Sequence, residues 1–373
     1  MCSVNAALYW DQWNDDNPMA NYVPNDKYII ATPWMGGMSN VRLSFELSCA
    51  LAYCTNRTLV VPDLCYIDHL PAKKQMHDLR RFFDFNDLGI SVMTLSEFCN
   101  KEHMSDVSEI TPSFSPRNFD TCHNFIDLCN GTGLNPPCFA KRTAVTLDHD
   151  SKYVRFDKCL LGSFYSMLRH SNEHEANIVK RYVRKHVHYR SEIFESAMKV
   201  VQWLKRKHGE YYAMHVRRGD FLHCNYKTTC ISMEDVMKNI EPHAPMQACI
   251  YIATDSDDAS EFRVVKTKYT VVTLSDVMTM LNEDTDPVFH GIVEQIVCSQ
   301  GVKFFSHPLS TFSNYVHRLR GYVSAADAFC HETTSIEKKR STLDSDWDCA
   351  SNVWSKEFSD GFSPCMELLN KSI

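Results

Sequence analysis

The sequence predicts an α/β chain built as two doubly wound, Rossmann-like halves facing a cleft. Three observations predict it. The chain has 373 residues, too many for one ordinary core. Short apolar runs alternate with amphipathic stretches of helical period, the signature of a mostly parallel sheet covered on both faces. Each half also carries a strand that runs into a turn rich in glycine or charge.

The first strand-turn-helix is "KYIIATPWMGGMSNVRLSFELSCALAYCTNRTLVVPD". Residues 27–31 read as a strand, Gly36 and Gly37 as a turn, and Ser39 as the cap of a helix running to about Tyr53. "TLVVP" follows as a buried strand closed by Pro62. The unit is a βαβ crossover, which is right-handed. Residues 66–150 are rich in Pro, Asn, Asp and Gly, with weak periodicity, and read as short helices and long loops. "NEHEANIVKRYVRKHVHYR" reads as a basic helix and "SEIFESAMKVVQWLKRKH" as an amphipathic one. The domain junction is expected between residues 185 and 210, giving an N-terminal domain 1–195, which holds the glycine loop 35–40, and a C-terminal domain 196–373 that ends in a tail.

The second half repeats the alternation. "EYYAMHVR", "QACIYIAT", "YTVVTL" and "VKFFSH" read as strands; "SMEDVMKNI", "PVFHGIVEQIVCSQ" and the stretch opened by "STFSNYVHRLRG" read as helices. In open α/β sheets ligands gather at the C-terminal ends of the strands. The groups expected there are His215, Arg217, Arg218 and Asp220, then Thr254 and Asp255, then Ser310, Thr311, Phe312 and Ser313, with Gly36 and Gly37 in the first half. Together they suit a nucleotide-sugar. An arginine fork holds a diphosphate. A helix start offers amides and hydroxyls to phosphate. A carboxylate such as Asp255 accepts from a guanine edge, and glycines let backbone approach closely. Singly each has a plainer reading: Arg217 in a structural ion pair, Asp255 or "STFS" as a helix cap, Gly36 and Gly37 as a tight turn.

Composition narrows the classes. The formal net charge of −7 argues against a general nucleic-acid binder. No apolar run is long enough to span a membrane. The opening residues lack the basic and apolar regions of a signal peptide, so as it stands the chain reads as cytoplasmic, or as lumenal if a signal lies upstream. There are 16 cysteines without a CxxC pair; the densest group, Cys122, Cys129 and Cys138, is unlike known zinc modules, and buried thiols or a few disulfides both fit the count. Sequons stand at Asn56, Asn130 and Asn370. G-x-G-x-x-G, the P-loop and HExxH are absent. The RGD triplet 218–220 follows an apolar strand, which argues against an exposed adhesion loop, and the basic run Lys180–Arg190 reads as a solvated helix face.

"PWMGGMSNVRLSFELSCALAYCTNRTLVVP", "HVRRGDF", "YIATDSDD" and "STFSNYVHRLRG" stand in the order found in the GDP-fucose protein O-fucosyltransferase family, and the chain resembles that family over roughly residues 27–62 and 211–321. The resemblance implies a GT-B fold, GDP-fucose as donor substrate, inversion at the anomeric carbon, and no metal or other cofactor; the acceptor stays open, since a protein serine or threonine, a glycan hydroxyl or a small glycoside would all fit. It places Arg217 on the β-phosphate, His215 and Asp255 near the nucleotide, Thr311 and Phe312 on phosphates and base, Gly36 and Gly37 in the donor pocket, and Asn40 at the sugar or acceptor. Some relatives carry a glutamate beside the first glycine; here Met35 and Gly37 flank Gly36, which puts a carboxylate base from that loop in doubt and leaves Asp220 as a substitute, with Glu46 read as structural. Two other readings stand beside this one. A metal-dependent GT-A enzyme would use a D-x-D pair such as Asp148/Asp150, Asp255/Asp257, Asp284/Asp286 or Asp344/Asp346. A non-catalytic module would bind the GDP-sugar without transfer.

Overall fold

The computed structural model describes residues 21–33, 36–71, 76–110, 113–114, 124–127, 143–147, 149–157, 168–169, 173–219, 232–281, 285–307 and 310–323. The chain divides into two compact units between Arg190 and Ser191. Each contains a parallel sheet, so the α/β class holds.

In the first unit β1 (Tyr28–Thr32) runs into helix α1 (Met38–Thr55), and β2 (Thr58–Val61) returns beside β1 in parallel, Tyr28 opposite Thr58. This is the expected crossover. Both strands are apolar on both faces, as befits central parallel strands. The first-unit sheet has five strands, all parallel, with β1 in the middle. β2 and Val92–Thr94 lie on one side, and Tyr153–Asp157 and Ser113–Phe114 on the other. Helix α1 is buried along almost its whole length, which fits its apolar character. It starts two residues earlier than a Ser39 cap allows: Gly37 is the N-cap, without a side-chain cap, and Ser39 lies buried inside the helix. Gly37 is fixed in extended backbone by a bridge to Asp68, whose amide donates to the Gly36 carbonyl at 2.8 Å, so the chain turns helical at Met38.

Residues 66–150 hold short helices as expected, at Leu79–Arg81 and Leu95–Glu102, but also short strands that were not expected. Cys65–Tyr66 pairs antiparallel with Met76–His77, and Asn124–Asp127, Thr143–Thr146 and Leu168–Arg169 form a small parallel sheet. Helix α2 (Leu95–Glu102) is closed by a capping box: the Glu97 amide donates to Thr94 Oγ1, and the Thr94 amide donates to Glu97 Oε2. Helix α3 (Glu173–His186) is the basic helix.

In the second unit helix α4 (Ser191–His208) precedes β3 (Tyr211–Val216). Helix α5 (Met233–Ile240), β4 (Cys249–Thr254), β5 (Thr270–Thr273), helix α6 (His290–Ser299), β6 (Phe304–Phe305) and helix α7 (Thr311–Val323) follow. The sheet is parallel throughout, in the order β5-β4-β3-β6. The chain therefore steps outward from β3 to β4 and β5, then returns to the other side of β3. The order reverses at β3, and the same happens at β1 in the first unit.

Candidate functional site

At a reversal of strand order the connections on either side diverge, leaving a crevice at the C-terminal strand ends. The end of β3 is such a place. Val216 is the last strand residue, paired with Thr254 of β4, so Arg217 and Asp255 leave adjacent strands side by side. Arg217 Nη1 lies 3.0 Å from Asp255 Oδ2, with both side chains partly exposed. Asp255 Oδ1 accepts from the Arg218 amide at 2.6 Å. The same carboxylate also explains the glycine of "RRGD": a Cβ on Gly219 would fall 2.4 Å from Asp255 Oδ2. Arg218 turns elsewhere, its Nε 3.1 Å from Glu261 Oε2 and its side chain nearly buried.

On the other flank β6 leads to Ser306, His307 and the start of α7. Here "STFS" splits in two. Ser310 Oγ accepts from the Ser313 amide at 3.5 Å, and the Ser310 carbonyl accepts from the Asn314 amide at 3.0 Å, so Ser310 opens the helix. Ser313 is fully buried, and its hydroxyl turns inward: Oγ lies 2.8 Å from His215 Nδ1 and accepts from the His307 amide at 3.0 Å. The His215 ring stacks on Phe312 with centroids 4.3 Å apart. Burial, then the neighbouring His307 and Arg217, hold the His215 imidazole well below the usual histidine range, so it is neutral. A neutral ring locked to Ser313 and Phe312 joins helix to strand; it adds no positive charge to the edge. Thr311 and Phe312 remain half-buried in the first helical turn, where helix amides concentrate positive potential.

His307 was not among the residues singled out from the sequence. Its Nδ1 accepts from the Arg217 amide at 3.3 Å. The signal available was a histidine two residues past an apolar run; what gives it meaning is that β6 lies beside β3, and strand order is not written in the chain.

In the first unit Gly36, Gly37 and Asn40 come together at the end of β1. A Cβ on Gly36 (φ +157°) would sit 2.7 Å from Asn40 Nδ2, and the Asn40 amide donates to the Gly37 carbonyl at 2.9 Å. Glu46, one turn further than Arg42, is fully buried against Arg42 Nε at 2.9 Å. Arg42 also donates from Nη2 to the Val187 carbonyl at 3.0 Å and lies 3.8 Å over the Tyr189 ring. That pair is structural.

Asp220 falls outside the described residues, as do Met35, Cys122, Cys129, Cys138, the sequons at Asn130 and Asn370, and at least one member of three D-x-D pairs, Asp148/Asp150, Asp284/Asp286 and Asp344/Asp346. In the remaining pair Asp255 is engaged by Arg217. Among the described residues Cys49, Cys54, Cys65, Cys99, Cys249 and Cys298 are free thiols, and no helix is long and apolar enough to cross a membrane.

Among solved structures, the chain is similar to POFUT1 in complex with GDP, at 15% identity and a TM-score of 0.45 over 81% of this chain and 97% of that one. It is also similar to NodZ α-1,6-fucosyltransferase co-crystallized with GDP, at 17% identity and a TM-score of 0.45 over 79% of this chain and 93% of that one. A third is the fucosyltransferase NodZ from Bradyrhizobium, at 17% identity and a TM-score of 0.44 over 79% and 92% of the two chains. Comparison with curated proteins gives no match. The family model for GDP-fucose protein O-fucosyltransferase matches residues 28–323. That match spans both units and most of the sequence, and by it the chain belongs to the GDP-fucose protein O-fucosyltransferase family of glycosyltransferases.

Proposed function

We propose that this chain moves fucose from GDP-fucose to an acceptor hydroxyl, with inversion at the anomeric carbon and without a metal, as a GT-B-like enzyme whose two Rossmann-like units face a cleft. The observation that supports this reading most is the position of Arg217. It stands at the reversal of strand order, partly exposed, with its guanidinium held at one end by Asp255. A guanidinium carries five N–H donors, more than one carboxylate oxygen can accept from. Asp255 can therefore steady the group while other donors meet a β-phosphate. As the bond from anomeric carbon to phosphate oxygen breaks, negative charge grows on the departing GDP. A cation already fixed in place stabilises that charge more in the transition state than in the ground state.

In this reading the first turn of α7 at Thr311 and Phe312 faces the phosphates and base. Gly36 and Gly37 admit the donor closely, Asn40 orients the acceptor hydroxyl, and Asp220 takes its proton. The acceptor is a hydroxyl of a protein serine or threonine, or of a glycan. His215, Ser310 and Ser313 hold the edge in shape, because their side chains are used inside it. Asp255 serves here as the partner of Arg217; its oxygens already accept from Arg217 and from the Arg218 amide.

Thermal shift with GDP, UDP and ADP tests the donor class. A ligand at a hundred times its dissociation constant adds about 2.7 kcal/mol. GDP should raise the melting temperature and the other two should not; equal shifts from all three would refute guanine selection. Fucose transfer that persists in EDTA supports the metal-free route, and loss that added Mn²⁺ restores would overturn it.

A further inference from the structure

The peptide N–H groups of Arg217 and Arg218 lie just past the end of β3, where the sheet ladder stops offering them carbonyls. Backbone donors held away from water need partners. Both find them in side chains, one from each flanking strand. Asp255, after β4, takes the Arg218 amide at 2.6 Å. His307, after β6, takes the Arg217 amide at 3.3 Å. The double-arginine turn is thus gripped from its two sides.

The His307 grip is itself braced. The His307 ring is nearly buried. Its backbone amide donates to Ser313 Oγ at 3.0 Å, and the same oxygen lies 2.8 Å from His215 Nδ1. The His215 and His307 rings meet edge to face with centroids 6.1 Å apart. Because Nδ1 of His307 accepts a hydrogen bond from the Arg217 amide, that nitrogen carries no proton of its own. A chain of contacts therefore runs from the first turn of α7 to the peptide plane of Arg217. Rotation of that plane swings the long arginine side chain through several ångströms at its tip.

We propose that His307 is a positioning residue: its Nδ1 fixes the Arg217 peptide and thereby the direction in which the Arg217 guanidinium meets the donor's diphosphate. The inference rests on the proposed role of Arg217.

The test compares dissociation constants for GDP and GMP, measured by calorimetry on the full chain. GMP lacks the β-phosphate, so the ratio of the two constants reports the contacts to that phosphate, and its change in Arg217→Ala gives the share that Arg217 makes. A general loosening of the site would weaken both nucleotides and leave the ratio alone. Arg217→Ala should lower the preference for GDP about tenfold, the worth of one hydrogen bond to a charged group. His307→Phe, which keeps a buried ring and removes the acceptor, should lower it by about the same factor. His307→Asn, whose amide oxygen reaches the place of Nδ1, should stay within about threefold of wild type. If the Phe variant does not fold, His307→Gln replaces it: its amide reaches the place of Nε2 instead, and the GDP preference should again fall. A preference kept in His307→Phe or His307→Gln but lost in Arg217→Ala overturns the inference and leaves the function standing, as does an Asn variant worse than Phe. A wild type with no preference for GDP, or an Arg217→Ala variant that keeps it, overturns the proposed function and this inference with it.

Discussion

Where β1 ends, the chain passes Pro33 and arrives at Gly36 and Gly37; where β3 ends, it passes directly into Arg217 and Arg218. Both strands sit at reversals of strand order, with a parallel neighbour on each side. The first edge is made of backbone, two residues without side chains braced by Asn40 and the bridge to Asp68. Its nearest arginine, Arg42, has been drawn into the interior and paired with Glu46 at side-chain exposures of 1% and 0%. The second edge carries its arginine outward, in a pair with exposures of 20% and 29%. Two Arg–carboxylate pairs of nearly equal length thus do different work. A fully desolvated pair is committed to the fold, since neither charge can be released. A partly exposed pair at the end of a strand can hold its arginine and still present it to a ligand.

The strongest way to break this contrast is to remove the buried arginine. Arg42→Ala leaves Glu46 and the Val187 carbonyl without that partner inside the first unit, and breaking such a pair costs about 3–5 kcal/mol. Calorimetric melting should show that loss, while the surviving folded protein keeps its GDP-to-GMP ratio. If instead stability holds and the ratio falls, Arg42 is a ligand group and the contrast fails.

Removing the exposed arginine should do the reverse. Arg217→Ala should lower fucose transfer by two to three decades, about 3–4 kcal/mol of transition-state stabilisation, with little change in melting temperature. Arg218→Ala, which loses the nearly buried contact to Glu261, should do less harm to transfer. Equal rates in wild type and Arg217→Ala would remove the assignment. A subtler probe is Gly219→Ala. The new methyl would fall 2.4 Å from Asp255 Oδ2, so the carboxylate must shift and release Arg217. A charge-assisted contact of that kind is worth about 1.5–3 kcal/mol, read as a drop in transfer rate with the fold intact.

The sequence carries the strands on which this contrast stands but not the pairings, and the limits are physical. The strands Tyr211–Val216 and Cys249–Thr254 are apolar runs bounded by turns, and such runs announce themselves. The two- to four-residue strands between 65 and 146 do not: Met76–His77 and Ser113–Phe114 are too short for a period and exist only through partners elsewhere in the chain. Ser39 looked like a cap because serine caps helices, yet a tertiary bridge at Gly37 decided the start. Arg217 and Asp255 were singled out separately from the sequence; that they grip each other follows from β3 and β4 being neighbours in register. The hydroxyl of Ser313 suits phosphate by type, and the resemblance puts His215 near the nucleotide; what the sequence does not carry is their burial, which brings hydroxyl and imidazole together at 2.8 Å.

The smallest expected effect sharpens the comparison through pH, since among the described residues the carboxyl displaced furthest in each unit moves in the opposite direction. In the first unit hydrogen bonds from Lys152, then Tyr153, with Tyr28 adding a third, hold Glu102 down to about 2. A carboxyl whose folded value lies below its unfolded one, near 4.3, stabilises the fold above that unfolded value. The contribution drains away as pH falls toward 2. In the second unit burial pushes Glu294, beside Tyr251, up to about 8. Its folded value lies above the unfolded one, so its contribution is complete below about pH 4 and is lost as pH rises toward 8. Acid should therefore weaken the first unit and mild alkali the second. Glu102→Gln should lower stability at pH 7 by about 1 kcal/mol and flatten the acid side of the melting curve. Glu294→Gln keeps a neutral group of the same shape beside Tyr251, and should raise stability at pH 8 while changing nothing at pH 4. If the Gln variant at position 294 is instead destabilised equally at both pH values, the carboxyl is ionised within the fold, and the second unit holds a buried carboxylate as the first does at Glu46.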